Sequence, residues 1–295
     1  MSKPPRKSAG RKTPASKTAG SKSAGKPGAA GAPKKASPSA IKKKAARPGV
    51  QGQSTNASDG HGLKVHVRTA RKRTHSSTLW LERQLNDPYV ARAKREGYRS
   101  RAAYKLLEID DRFKLLKPGM IVVDLGAAPG GWAQVAAKRV KSEDGKGKHK
   151  GRVIGIDLLE IDPLPGVEFT VMDFTEEDAP ARLRTMMAAG AAGEVLADAV
   201  LSDMAANTTG HKKTDHLRIV YLAELAIEFA REVLAPGGCF LAKVFQGGAE
   251  GELLAALRRD FATVRHIKPK ASRADSAELY VLATGFRGRA GVPTA

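Results

Sequence analysis

The chain has 295 residues, with 51 Lys or Arg against 30 Asp or Glu, which gives a net charge of +21. Its single cysteine, Cys239, excludes an internal disulfide and a multi-cysteine metal site. No stretch approaches 18 consecutive apolar residues, which excludes a membrane-spanning helix, and we expect a cytoplasmic protein.

The positive charge is concentrated at the N-terminal end. Residues 1–75 contain 19 Lys or Arg and one acid, Asp59, so they carry +18 and leave +3 for residues 76–295. Large apolar side chains are too few in this Lys-, Ala-, Gly-, Pro- and Ser-rich segment to bury a core. We therefore predict a disordered basic tail over 1–75, which either binds RNA phosphates or stays solvated, and one folded domain over 76–295.

The folded region begins with a predicted helical segment over 76–113, in which Ser100 is a candidate N-cap for the part that carries Lys105. Apolar runs then alternate with helical patterns. The predicted strands are 122–125, 152–157, 167–171, 197–203, 239–245, 264–267 and 279–284, and the main helices between them are 179–189, 217–234 and 253–261. This alternation predicts an α/β fold with a doubly wound, mostly parallel seven-stranded sheet.

A glycine-rich loop follows the first predicted strand, in the stretch VVDLGAAPGGW from Val122 to Trp132. A strand, a tight turn and a helix in this order open a nucleotide-binding βαβ unit. The loop reads G-x-x-x-G-G and not the G-x-G-x-x-G of dinucleotide sites, and Pro129 lacks an N–H for a pyrophosphate. We expect a ligand without phosphates, with S-adenosylmethionine as the candidate, over the alternative of a tight turn that binds nothing.

Four acids, Asp124, Asp157, Asp173 and Asp203, lie at or just after the ends of predicted strands. Ligands of open α/β sheets bind outside these carboxyl ends. Asp157 is a candidate acceptor for two ribose hydroxyls, and Asp173 for an adenine amino group. The alternative for each acid is a helix cap or a loop contact. Trp132 would either cover the cofactor or pack inside the domain.

Lys243 lies inside the apolar run FLAKVF, where an unpaired ammonium would be costly to bury. A site that includes Asp203, at the end of the neighbouring predicted strand, would provide its partner. The alternative is an edge-strand lysine that points to water. Cys239, at the start of the same run, is interpreted as a buried structural thiol.

Several segments occur in the order found in one enzyme family: YRSRAAYKL around Lys105, DLGAAPGGW, SDMAAN around Asp203, LAPGG, KVFQG at Lys243, and SR to ELY around Glu278. Together they closely resemble the FtsJ-type, heat-shock-associated bacterial methyltransferases of 23S ribosomal RNA. The resemblance covers about residues 77–287. Ala206 departs from it, because the family usually has proline there, but this change removes no reacting group.

The resemblance implies a Rossmann-like enzyme that uses S-adenosylmethionine to methylate a uridine 2′-hydroxyl in the A-loop of 23S ribosomal RNA. By motif match, the family's catalytic tetrad falls on Lys105, Asp203, Lys243 and Glu278. Its cofactor contacts fall on Gly130, Trp132, Asp157, Asp173 and Asp203. We expect a monomer that requires no metal and whose partner is 23S ribosomal RNA or the large ribosomal subunit.

Methyl transfer from a sulfonium is an in-line displacement, in which holding the reacting atoms collinear is much of the catalytic task. Lys243 would accept the hydroxyl proton, Asp203 would orient Lys243, and Glu278 would hold Lys105 or the ribose. The alternatives are a 2′-O-methyltransferase of transfer RNA or another RNA, and a non-catalytic RNA-binding factor in ribosome assembly. A nicotinamide oxidoreductase is disfavoured by the glycine loop.

Overall fold

The computed structural model describes residues 66–67, 69, 71, 74–143, 150–206, 210–245 and 251–288. The predicted tail over 1–75 lies largely outside these residues. The elements are α1 His75–Leu85, α2 Pro88–Glu96, α3 Ala103–Phe113, β1 Ile121–Leu125, α4 Gly131–Val140, β2 Arg152–Asp157, β3 Val167–Val171, α5 Ala179–Ala188, β4 Ala197–Ser202, α6 Lys212–Val233, β5 Leu234–Phe245, α7 Gly251–Asp260, β6 Phe261–Ile267 and β7 Glu278–Phe286.

The seven strands form one sheet in the order β3-β2-β1-β4-β5-β7-β6. The pairs from β3 to β5 are parallel, whereas β7 is antiparallel to both β5 and β6. After β1, the chain adds β2 and then β3 on one side of β1. It then crosses to the other side of β1, where it adds β4. This reversal creates a crevice at the carboxyl ends of β1 and β4, where ligands of doubly wound sheets bind. The predicted fold class is confirmed.

Helices cover both faces of the sheet because side chains alternate along each strand. On β5, Phe240 and Val244 pack with α5, α6 and α7, whereas Cys239 and Leu241 pack with α3 and α4. Each large apolar side chain buried in this way contributes about 1.5–3 kcal/mol. Cys239 is buried, as predicted, and burial raises the pKa of its thiol to about 12. By the same alternation, the side chain of Lys243 lies on the α3–α4 face of the sheet.

The predicted helical segment over 76–113 consists of three helices, α1, α2 and α3. Asp87 caps α2, whose first residue is Pro88, and Gly97 ends α2 at a φ of 76°. A proline at a first helical position and a glycine in the left-handed region are typical helix boundaries. The predicted cap by Ser100 is wrong, since Ala102 occupies the cap position of α3 and the buried Ser100 hydroxyl has no described hydrogen-bond partner.

Helix α6 ends at Val233, one residue before the end of the helix predicted over 217–234, and Pro236-Gly237-Gly238 follows shortly after it. Strand β5 begins at Leu234, which pairs with Ala197, and regular pairing resumes between Cys239 and Ala199. The four residues between them bulge out of the sheet, since proline and glycine do not sustain a regular ladder. Beyond the bulge, β5 is buried up to Val244 and carries Lys243 to the carboxyl end of the sheet.

Candidate active site

A cavity of about 650 Å³ opens at the carboxyl edge of the sheet, next to the crevice between β1 and β4. Three of the four strand-end acids line it, together with the first residues of the glycine loop and the start of α6. These lining residues include Gly126, Ala128, Asp157, Asp173, Phe174, Asp203 and Tyr221. Asp157, Asp173 and Asp203 therefore share one cavity, whereas Asp124 does not line it.

Two glycines of the loop have no room for a side chain. Gly126 has a φ of 78°, and a Cβ there would lie 2.8 Å from backbone atoms of Met204. Gly130 has a φ of 105°, and a Cβ would lie 2.6 Å from Leu164. Only glycine adopts such backbone angles without strain. Gly126 thereby brings the loop against the segment after β4, and both segments line the cavity.

Asp157 holds the loops around it through its carboxylate. Its Oδ2 accepts a 2.9 Å hydrogen bond from the amide of Ala128, and its Oδ1 accepts a 2.9 Å bond from the amide of Leu159. A carboxylate offers about four acceptor positions, so both oxygens retain capacity for a ligand. Asp157 therefore makes the loop contacts that were its alternative role. Its carboxylate still has acceptor positions for a ligand on the cavity wall.

Asp173 follows β3 after one intervening residue. Its Oδ1 accepts hydrogen bonds from the side chain and the amide of Thr175, at 2.7 and 2.9 Å, and these bonds lower the pKa of the carboxyl. The group is therefore an ionised acceptor on the cavity wall at neutral pH. Phe174, the next residue, also lines the cavity and packs edge-on against Phe229.

Trp132 and Gly130 do not line this cavity. The Trp132 side chain is 2% exposed, its indole N–H donates a 2.9 Å hydrogen bond to the Ala102 carbonyl, and its ring centre lies 5.5 Å from that of Tyr280. Of the two roles left open for Trp132, the structure places it in packing between α3, α4 and β7.

Asp124 lies beneath the site on β1 and is fully buried. Neither carboxylate oxygen has a hydrogen-bond partner among the described residues. Burial, followed by the nearby charges of Asp203 and Asp157, raises the pKa of this carboxyl to about 8. Asp124 is therefore held mainly in its protonated form at neutral pH.

The four residues of the predicted catalytic tetrad lie together at the end of the cavity that Asp203 lines. Lys243 Nζ donates a 2.6 Å hydrogen bond to the carbonyl oxygen of Asp203 and lies 3.1 Å from Oδ1 of the same residue. Lys105 Nζ lies 2.8 Å from the carboxylate of Glu278. The prediction of a buried, partnered Lys243 is confirmed, because its side chain is 8% exposed and Asp203 follows the adjacent strand.

Tyr280 connects the two ion pairs. Its hydroxyl accepts a 3.0 Å hydrogen bond from Lys105 Nζ and donates a 2.8 Å bond to Asp203 Oδ1. One continuous network therefore runs from Glu278 through Lys105, Tyr280 and Asp203 to Lys243. Its two ammonium groups and two carboxylates balance in charge, which reduces the cost of burying them.

Strand register explains why these side chains meet. In the antiparallel β5–β7 pair, Lys243 is opposite Tyr280, and Phe245 is opposite Glu278. Directly opposite side chains lie on the same face of a sheet, here the face that α3 covers with Lys105. Ser272, ahead of β7, fixes Glu278 from the other side by donating a 2.8 Å hydrogen bond to Oε1.

The network also sets the ionisation of its acidic groups. Burial opposes the ionisation of Asp203, but the charges of Lys243 and Lys105, with hydrogen bonds from Tyr280 and Lys243, keep the pKa of Asp203 below its usual value. Burial and the adjacent carboxylates of Asp203 and Glu278 raise the pKa of Tyr280 well above its usual value. Asp203 is therefore a stable anion, and Tyr280 remains a neutral hydroxyl that donates to it.

Tyr280 and Ser272 were not among the functional residues predicted from the sequence. A signal existed for Tyr280, because it follows Glu278 by two residues in a strand and so shares its face. The contact of Ser272 depends on the turn ahead of β7, for which the sequence offers no comparable periodic pattern. Among the described residues, no group of three or more His, Cys, Asp or Glu is arranged to hold a metal ion.

No helix of the described residues has the length and apolar character needed to cross a membrane. The model of the FtsJ-like methyltransferase family matches residues 98–286. The chain is 67% identical over 232 residues to ribosomal RNA large subunit methyltransferase E of Xanthobacter autotrophicus, covering 79% of this chain and 87% of the relative. It is 62% identical over 237 residues to the Azorhizobium caulinodans protein of the same name, covering 80% and 95%.

One solved structure, a Plasmodium falciparum protein assigned as a ribosomal RNA methyltransferase, shares 32% identity with the chain at a TM-score of 0.55. The match covers 65% of this chain and all of that structure. The matched family region contains every residue of the network described above, from Lys105 to Tyr280.

Proposed function

Since the chain belongs to the FtsJ-like methyltransferase family, we propose that it transfers a methyl group from S-adenosylmethionine to a ribose 2′-hydroxyl of 23S ribosomal RNA. The target is a uridine in the A-loop of the large subunit. The names of its close relatives, which specify the ribosomal RNA large subunit, support the choice of RNA. The observation that carries the proposal is the buried Lys–Asp–Lys–Glu network, which shares Asp203 with the cavity.

The cavity fits a nucleoside that lacks phosphates. Its carboxylates can accept hydrogen bonds from ribose hydroxyls at Asp157 and from an adenine amino group at Asp173. Arg218 is the one Lys or Arg among the described lining residues, whereas a pyrophosphate would require several donors or cations. The acidic lining favours S-adenosylmethionine, which carries a positive charge, over a nicotinamide dinucleotide.

S-adenosylmethionine supplies an electrophilic methyl group on a sulfonium sulfur. Lys243 first releases its own proton to solvent and then, as the neutral amine, accepts the proton of the ribose 2′-hydroxyl. As the oxygen forms its bond to the methyl carbon, the bond from that carbon to sulfur breaks and the sulfur leaves as a neutral thioether. Asp203 keeps Lys243 Nζ at a fixed position through two oxygens, at 2.6 and 3.1 Å. This fixed geometry favours the collinear approach that the displacement requires.

Lys105, held by Glu278 and Tyr280, is the second lysine of the site. Its charge stabilises negative charge that develops on the ribose oxygen as the proton leaves. Glu278, which accepts a hydrogen bond from Ser272, holds Lys105 Nζ at 2.8 Å from its carboxylate. The site thus provides one proton acceptor and one electrostatic stabiliser on a rigid sheet.

A methyl-transfer assay with mapping of the product tests this function. Large ribosomal subunits are isolated from cells that lack the protein and incubated with the purified full chain and isotopically labelled S-adenosylmethionine. We expect label on one 2′-oxygen in 23S ribosomal RNA, and none with Lys243→Ala. Label on a base nitrogen, label confined to transfer RNA, or no transfer to any RNA would each overturn the proposal.

A further inference from the structure

The N-terminal helices carry an exposed aromatic and apolar surface. Helix α1 has no buried residue, and Leu79, Trp80 and Leu85 are exposed by 41%, 57% and 51%. An isolated helix of 11 residues is marginal in water and normally buries an apolar face. The exposure of an indole on such a helix is therefore a cost that a bound partner would remove.

The same helices present unbalanced positive charge. Arg83, one turn after Trp80 on α1, is exposed, as are Lys94 and Arg95 on α2, and none of them forms an ion pair with a described acid. The acids of α1 and α2, in contrast, are all engaged: Glu82 with His66, Asp87 with Arg101 and Arg273, and Glu96 with Arg92. The surface therefore complements a polyanion.

Ion pairs join this surface to the active site. Asp87, the cap of α2, lies 2.7 Å from Arg101 and 3.3 Å from Arg273. Arg101 donates to the carbonyl of Ala271, and the adjacent Ser272 holds Glu278 of the network. These contacts place the start of α2 next to the segment that holds Glu278 in the proposed site.

From these observations we propose that the α1–α2 surface is an accessory RNA-binding platform, on which Trp80 stacks against a base of the substrate RNA outside the target nucleotide. This inference rests on the proposed function, since it takes ribosomal RNA as the ligand. Stacking on an aromatic ring tolerates any base, and neighbouring Arg and Lys side chains bind the phosphates. The platform therefore contributes to the affinity for the RNA and to its position. The choice of the target nucleotide depends on other parts of the protein.

Tryptophan fluorescence tests the platform without reference to activity. The chain has two tryptophans, and Trp132 is 2% exposed, so acrylamide quenches mainly Trp80. We expect protein-free 23S ribosomal RNA to protect Trp80 from acrylamide in the full chain. Unchanged quenching at saturating RNA would overturn the proposal. Protection that depends on protein concentration without RNA would assign the surface to a second copy of the chain and would also overturn it.

Matched variants distinguish base stacking on Trp80 from a general effect of removing an exposed apolar side chain. We expect Trp80→Ala to weaken affinity for this RNA by roughly 5- to 150-fold, the range found for loss of one stacked base, and Trp80→Phe to retain most of the affinity. Leu85→Ala, an equally exposed position of α1, serves as the control and should have no effect. S-adenosylmethionine affinity and kcat at saturating RNA should be unchanged in all three. Equal effects of Trp80→Ala and Leu85→Ala would refute stacking, and methylation by the wild type would then still support the proposed function.

Discussion

The hydroxyl of Tyr280 donates a 2.8 Å hydrogen bond to Oδ1 of Asp203, the oxygen that also lies 3.1 Å from Lys243 Nζ. Tyr280 is fully buried and directly opposite Lys243 in the β5–β7 pair. A neutral donor thus reaches the carboxylate that positions the proposed proton acceptor. We therefore expect Tyr280 to act as a positioning residue through Asp203 and Lys105.

Replacement of Tyr280 by phenylalanine removes this donor and keeps the ring. A hydrogen bond to a charged group contributes about 1.5–3 kcal/mol, so we expect kcat to fall by about tenfold or more with little change in S-adenosylmethionine affinity. The bond also helps to lower the pKa of Asp203, so the acidic limb of the kcat–pH profile should move to higher pH. Tyr98→Phe is the control, and equal pH profiles for wild type and Tyr280→Phe would contradict the positioning role.

Lys243→Ala should abolish methyl transfer while S-adenosylmethionine still binds. Loss of a general base costs about 10²–10⁴-fold in rate. Lys243→Arg should be equally inactive, because a guanidinium keeps the charge but cannot accept a proton. Single-turnover transfer rates, with calorimetry for cofactor binding, measure both effects. Exposed Lys117→Ala is the control, and near-normal turnover of Lys243→Arg would exclude proton acceptance by this residue.

Asp157→Ala should weaken S-adenosylmethionine binding and leave RNA affinity intact. The variant loses the acceptor for the ribose hydroxyls and the two bonds that hold the amides of Ala128 and Leu159. A loss of about 1–3 kcal/mol corresponds to roughly 5- to 150-fold in the dissociation constant. Calorimetry compares this variant with Glu160→Ala, an exposed acid of the same loop. Equal cofactor affinity of the two variants would remove Asp157 from the cofactor site.

Asp124 should make folding stability depend on pH. Its folded pKa is about 8, above the value near 4 of an exposed aspartate, so the folded state binds the proton more tightly. The contribution of protonated Asp124 to the free energy of unfolding is therefore fully present below pH 4. It is lost as pH rises toward 8, with a slope of up to about 1.4 kcal/mol per pH unit. Asp124→Asn should flatten this decline in urea unfolding at several pH values. Exposed Asp275→Asn should not, and parallel curves for wild type and Asp124→Asn would refute the raised pKa.

The alternation of apolar and polar segments was sufficient to predict the sheet, because parallel strands buried on both faces produce continuous apolar runs. Lys243, a charged residue inside such a run, pointed to the candidate site because an unpaired ammonium is costly to bury. The helix boundaries at Pro88 and Gly97 had signals in the sequence, namely the proline and the glycine themselves. They were missed because the whole segment 76–113 was interpreted as helical. The role of Tyr280 depended on the antiparallel register of β7 against β5, a long-range pairing that local pattern does not determine.

The basic tail yields the last prediction. Deletion of residues 1–73 removes +18 of the charge, keeps Thr74 as the cap of α1, and removes no residue of the proposed site. We expect kcat at saturating RNA to be retained, KM for RNA to rise, and the salt dependence of RNA binding to become shallower. Each lost phosphate contact should reduce the slope of log affinity against log salt by about 0.7–0.9. Replacing Lys42, Lys43 and Lys44 by glutamine should produce a fraction of this change. RNA affinity of the three proteins over a salt series measures the effect, and parallel slopes would mean that the tail is solvated and binds no phosphate.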